Sequence, residues 1–175
     1  MSKRIAIELV GPPKSRDGLA LHSPDFASGK PIPLTFSAYG DNVSPKLDWS
    51  HGPEGTRSYA LLLEDPDAPG DKPFVHWVIF NLPPSATGLA EGLPESGVLS
   101  RPQGAVQGSN SIGGIGYFGP RPPAGPAHHY HFQLFALDTA LPLRPGASRD
   151  ELVASLKGHV LAETDLVGIF AKPGE

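Results

Sequence analysis

Glycine and proline punctuate this chain so densely that a long helix has nowhere to form: 21 of each stand among 175 residues. Glycine weakens a helix through its backbone freedom, and proline removes an N–H and clashes with the preceding turn. Short strands joined by frequent turns are what such a sequence can build, so a mainly β fold is expected. Disordered chains are rich in the same two residues. Here, however, 39 % of residues are hydrophobic and they gather in runs, which gives the chain something to bury. A chain of this length buries about two-thirds of its unfolded surface. No repeat or linker divides it, and one domain is expected over residues 1–175.

Three runs carry the strongest strand signal. Residues 58–64 are apolar almost throughout and stop at Asp65-Pro66, as a central strand covered on both faces would. Residues 74–82 form the second. Strict alternation would put Phe74, His76, Val78 and Phe80 on one face and Val75, Trp77, Ile79 and Asn81 on the other. In the third, residues 130–138, Tyr130, Phe132, Leu134 and Ala136 oppose His131, Gln133, Phe135 and Leu137. Alternation of Ile5, Ile7 and Leu9 predicts an edge strand, Leu34-Thr35-Phe36 a short strand and residues 166–170 a closing one. Residues 85–117, rich in glycine, read as a long irregular excursion. One helix is signalled by the capping box Ser148-Arg149-Asp150-Glu151, followed by Leu152, Val153, Leu156 and Val160.

Charge and composition exclude several functions. A net charge of -4 and a pI near 5.9 leave no basic stripe to draw in nucleic acid. With no cysteine there is no thiolate chemistry, disulfide or cysteine metal site. Glu8 and Gly11-Pro12-Pro13 interrupt the apolar start, which argues against a signal peptide, and no apolar run approaches the roughly 20 residues needed to span a bilayer. A cytoplasmic protein is expected.

Three polar clusters fall at strand ends or within strands. Asp65-Pro66-Asp67-Ala68-Pro69 sets two carboxylates around a proline; such a turn either caps its own backbone or offers acid groups to a ligand. His76, on an apolar strand, is either a satisfied core residue or a ligand group. Gly119-Pro120-Arg121-Pro122-Pro123-Ala124-Gly125 leads into His128-His129-Tyr130, a rigid loop whose free N–H groups could converge on an anion. Two carboxylates and two imidazoles at the ends of neighbouring strands would make a polar cavity that packing alone does not require.

The order and spacing of these segments resemble the signatures of the phosphatidylethanolamine-binding protein family. The likeness extends to Ser23-Pro24-Asp25-Phe26, Asp41-Asn42-Val43-Ser44-Pro45 and Lys157-Gly158-His159-Val160-Leu161-Ala162, which resemble its bacterial branch of Raf-kinase-inhibitor-like proteins. The resemblance implies an antiparallel β-sandwich with few peripheral helices and a pocket for phosphate, phosphorylethanolamine or a similar anion. Carried over, the lining is Asp65, Ala68, Pro69, His76, Gly119, Pro122, Pro123, His128 and Tyr130, with Asp67 beside it. Mammalian relatives carry a tyrosine and a tryptophan just before the pocket histidine; Asp71-Lys72-Pro73-Phe74 stands here, which leaves Phe74 as the aromatic wall. Arg121 replaces a small residue and could grip a phosphate with two bonds or lie on the surface. The additional C-terminal helix of mammalian relatives is not seen after residue 170, implying a more open pocket.

The expected activity is binding without catalysis or cofactor, with His76 and His128 donating to an anionic oxygen and Asp65 and Asp67 orienting them. Affinity should then be tighter near pH 6 than near pH 8. Two other readings use the same residues: a regulator inhibiting a kinase or serine protease, as the resemblance implies, and a metal-dependent hydrolase using the two Asp and two His. An open edge strand suggests a homodimer.

Overall fold

In the computed structural model, which describes residues 3–174, the three apolar runs become the middle of one sheet; the outermost residues of the domain expected over 1–175 lie outside the described residues. Strand β3 (Ser58–Asp65) lies between β4 (Phe74–Leu82) and β7 (His128–Leu137), antiparallel to both. It is buried along its whole length, as its unbroken apolar run requires. Two further strands, β6 (Val106–Gln107) and β8 (Val160–Phe170), complete the order β6-β4-β3-β7-β8. A small second sheet is built from β1 (Leu21–His22), β2 (Leu47–Trp49) and β5 (Gly88–Leu89).

The main core lies between the two sheets. Leu21, Leu47, Trp49 and Leu89 of the small sheet meet Leu61, Leu63, Trp77, Phe132 and Leu134 of the large one, so the architecture is the expected antiparallel β-sandwich. A second core covers the opposite face of the large sheet. There Leu62, Val78, Phe80 and Phe135 pack under Ala6, Leu152, Val153 and Leu156, residues of two helices, α1 (Ala6–Leu9) and α2 (Arg149–Leu156). Helix α2 starts with the capping box read from the sequence: the Ser148 hydroxyl accepts from Glu151 N at 3.1 Å and Glu151 Oε1 accepts from Ser148 N at 3.1 Å. It ends before Gly158, whose φ of +83° suits glycine.

Several expectations need correction. The alternating segment at residues 5–9 is a helical turn, because its backbone is claimed by the sheet behind it: Glu64 Oε1 accepts from Ala6 N at 2.7 Å and Gln133 Oε1 from Ile7 N at 2.7 Å. Leu34–Phe36 is a single 3-10 turn, with Ser37 N donating to Leu34 O at 3.0 Å. The closing strand is eleven residues long, and the glycine-rich excursion contributes β5 and β6. The edge of β8 is occupied at both ends by the chain itself. Gly29 and Ile32 N–H groups donate to Val167 and Ile169 carbonyls, and Lys14 and Ser15 N–H groups to those of Val160 and Leu161. No helix is long and apolar enough to cross a membrane among the described residues.

Candidate ligand pocket

The site begins with an irregularity in β4. Leu63 of β3 pairs with Trp77 and Glu64 with Val75, which leaves His76 without a partner in β3. This is a β-bulge, a device that re-aims side chains. Because of it, strict alternation fails: Phe74 and His76 pack on Phe118, and His76 on Tyr130, while Val78 and Phe80 enter the second core. A second shift, between Tyr59 and Leu61, coincides with Asn81 at φ 54°. Asn81 thereby leaves the face of Trp77 and Ile79 and donates through Nδ2 to Leu141 O at 3.0 Å.

Asp65 stands where β3 ends. One carboxylate oxygen accepts from Asp67 N at 2.8 Å, closing the turn around Pro66; the other accepts from His128 Nδ1 at 2.7 Å. Both side chains are largely buried. The His76 ring sits against Phe74 at 4.7 Å between centroids, Tyr130 at 5.2 Å and Phe118 at 5.9 Å. Its Nδ1 lies 2.5 Å from the Phe118 carbonyl, which can only accept, so this nitrogen carries the proton. Burial pulls the His76 pKa down to about 4, outweighing the carbonyls of Phe118 and Gly119 and the charge of Asp65, all of which favour the cation. His76 is therefore neutral between pH 6 and pH 8, and the charge expected of it near pH 6 is absent. The Tyr130 hydroxyl is buried and makes no well-formed hydrogen bond. Burial and the adjacent Asp65 carboxylate push its pKa well above the ordinary value.

These groups border a cavity of ≈ 160 Å³, smaller than the roughly 300 Å³ at which pockets for drug-sized ligands begin. Asp65, Ala68, Pro69, Phe74 and His76 form one side. The other side is Arg121, Pro122, Pro123, His128 and Tyr130. Arg121 is exposed at the rim, and no carboxylate pairs with it among the described residues. Two expected residues do not line the cavity. Asp67 turns outward, accepting from His129 N at 2.7 Å and His129 Nδ1 at 2.8 Å. Gly119 donates its N–H to Asn42 Oδ1 at 2.7 Å, so within residues 119–123 only Arg121 retains an N–H for a ligand, the rest of that stretch being proline. Phe118 lines the cavity and was missed; an aromatic residue directly before the glycine-proline loop was its only signal. Among the described residues no group of three His, Asp or Glu side chains is arranged to hold a metal ion.

Gly119 holds the loop in place instead. A β-carbon there would run into the Phe36 carbonyl oxygen and approach Asn42 Oδ1 to 3.0 Å. Tyr39 Oη fastens the same loop by donating to Pro122 O at 2.6 Å. Gly119→Ala is expected to cost about 1–3 kcal/mol as an overpacking change, and to shift the amide signals of Arg121, Ala124 and Gly125 in an NMR spectrum. An unaltered urea midpoint would contradict this.

Two sheets closed around a core, with a small, mostly apolar pocket where strand ends and loops meet, define a β-sandwich of the ligand-binding type. Residues 22–171 match the family model described as phosphatidylethanolamine-binding protein, and the chain belongs to that family. It is 48 % identical over 141 residues to a UPF0098 protein of Methanothermobacter thermautotrophicus, covering 81 % of this chain and 91 % of that one. A Mycobacterium tuberculosis protein named as the lipoprotein LppC is 39 % identical over 169 residues, 96 % of this chain and 80 % of its own. Among solved structures, Escherichia coli YbcL superimposes with a TM-score of 0.84 at 31 % identity, covering 90 % of this chain and 100 % of that one.

Proposed function

We propose that this protein is a binder of small anionic molecules and that its pocket takes a phosphoryl or similar group. The observation that carries this reading is the Tyr130 hydroxyl, a buried donor that makes no well-formed hydrogen bond among the described residues, with Asp65 as its one nearby acceptor, at the wall of an otherwise mostly apolar cavity. A buried donor left unpaired is unfavourable, and an anionic oxygen entering the cavity would relieve it. Arg121 at the rim supplies the positive charge that offsets Asp65, while the Asp65–His128 pair fixes the orientation of the second imidazole.

The test is an amide-resolved NMR titration with inorganic phosphate and phosphorylethanolamine. Shifts should concentrate at residues 65–76 and 118–130. Tyr130→Phe should fold about as stably as the parent, since the hydroxyl lost makes no well-formed hydrogen bond, yet weaken binding at least about tenfold. Unchanged affinity in that variant, or no shifts at millimolar ligand, would overturn the reading.

A further inference from the structure

His76 meets the cavity as an acceptor. Its Nδ1 proton is committed to the Phe118 carbonyl at 2.5 Å, burial among Phe74, Phe118 and Tyr130 keeps the ring neutral beside the Gly119 carbonyl, and Nε2 has a lone pair and no donor among the described residues. An anion whose oxygens all carry lone pairs therefore finds two sorts of neighbour here. Tyr130 Oη and Arg121 can donate to it. His76 Nε2 opposes it, lone pair against lone pair, in a buried setting where such a mismatch is not relieved by water. An anion that keeps one proton satisfies both, giving its O–H to Nε2 and accepting from the donors. The remaining groups around the ring favour the same choice. Asp65 on β3 is negative and lies against both His76 and Tyr130, so a doubly charged anion is disfavoured beside it. His128 on β7 has its Nδ1 held by Asp65 at 2.7 Å.

We propose that His76 is a specificity-determining residue, through which the pocket selects singly charged phosphomonoesters, which carry a P–OH, over sulfate esters and phosphodiesters of equal charge, which carry none. This rests on the anion-binding reading above and narrows it: the favoured ligand is a free phosphomonoester, and the diester head group of an intact phospholipid is disfavoured.

The ligand set for the test shares one ethanolamine tail: O-phosphorylethanolamine, 2-aminoethyl sulfate and glycerophosphorylethanolamine. Measured by calorimetry near pH 5.5, below the second phosphate pKa of about 6, each presents mainly a single negative charge, and only the first has a proton on the anion. The sulfate ester and the diester are each expected to bind at least about tenfold more weakly than the monoester. In His76→Gln, whose amide can turn either a donor or an acceptor to the ligand, the gap between monoester and sulfate should shrink to within roughly threefold. Monoester and sulfate ester binding alike to the parent protein would overturn the inference while leaving the anion pocket standing, as would a diester binding as tightly as the monoester. If none of the three binds, the anion pocket itself is wrong and this inference falls with it. The comparison on the parent protein decides the matter even if the variant does not fold.

Discussion

Replacing Arg149 with alanine is expected to destabilise the fold by about 3–5 kcal/mol, the cost of leaving a buried charge without its partner. That charge is Glu64, whose side chain is 0 % exposed. One of its oxygens accepts from Ala6 N at 2.7 Å and Gln133 Nε2 at 3.1 Å, and the other from Arg149 Nε at 2.9 Å. Arg149 also donates to Arg4 O at 2.7 Å, so one guanidinium ties the N-terminal segment, α2 and the second core together. Urea denaturation of Arg149→Ala should show the loss. The same substitution in a Glu64→Gln background should cost far less, because the amide still accepts from Ala6 and no charge remains to be stranded. Equal losses in the two backgrounds would show that the arginine acts by packing its stem rather than by pairing.

Acid is expected to weaken the protein through His76. Its pKa is about 4 in the folded chain, down from 6.5, so between those values the unfolded chain binds a proton that the native one refuses. Stability is then fully present above pH 6.5 and falls as the pH drops toward 4, by about 3 kcal/mol in all. Folding free energies at pH 7 and pH 4.5 should differ by most of that amount more in the parent than in His76→Asn, which has no proton to gain. If parent and variant lose stability in parallel, the buried imidazole is not what acid acts on.

The parts of the fold legible in the sequence are those fixed by local pattern. The apolar runs of β3, β4 and β7 needed no distant partner to be seen, and neither did the Ser148–Glu151 capping box. What escaped was set by residues far apart in the chain. The segment at residues 5–9 alternates like a strand, yet its N–H groups bond to Glu64 and Gln133, 58 and 126 residues away. Glu64 itself reads only as the polar end of an apolar run, and nothing near it in sequence announces Arg149. For the pocket, the signature segments located most of the lining, but direction was lost where local geometry broke the rule of two. The bulge at His76 turned Phe74 away from Val78, and the bonds from His129 drew Asp67 to the outside. Glycine at position 119 was legible as a rigid-loop residue; that its N–H was already taken by Asn42 was not.

The unpaired residue in β4 also opens a particular evolutionary route. Loss of the single codon for His76 would bring Val75 and Trp77 into unbroken register with Glu64 and Leu63, healing the ladder while removing the imidazole from the cavity. A descendant shortened in this way would regain the ladder but lose both bonds that His76 makes to Phe118, one from its ring to the Phe118 carbonyl and one from the Phe118 N–H to its own carbonyl at 2.9 Å. The one extra residue thus does two things at once: it breaks the regular ladder, and it ties the segment that carries Phe118 to the sheet.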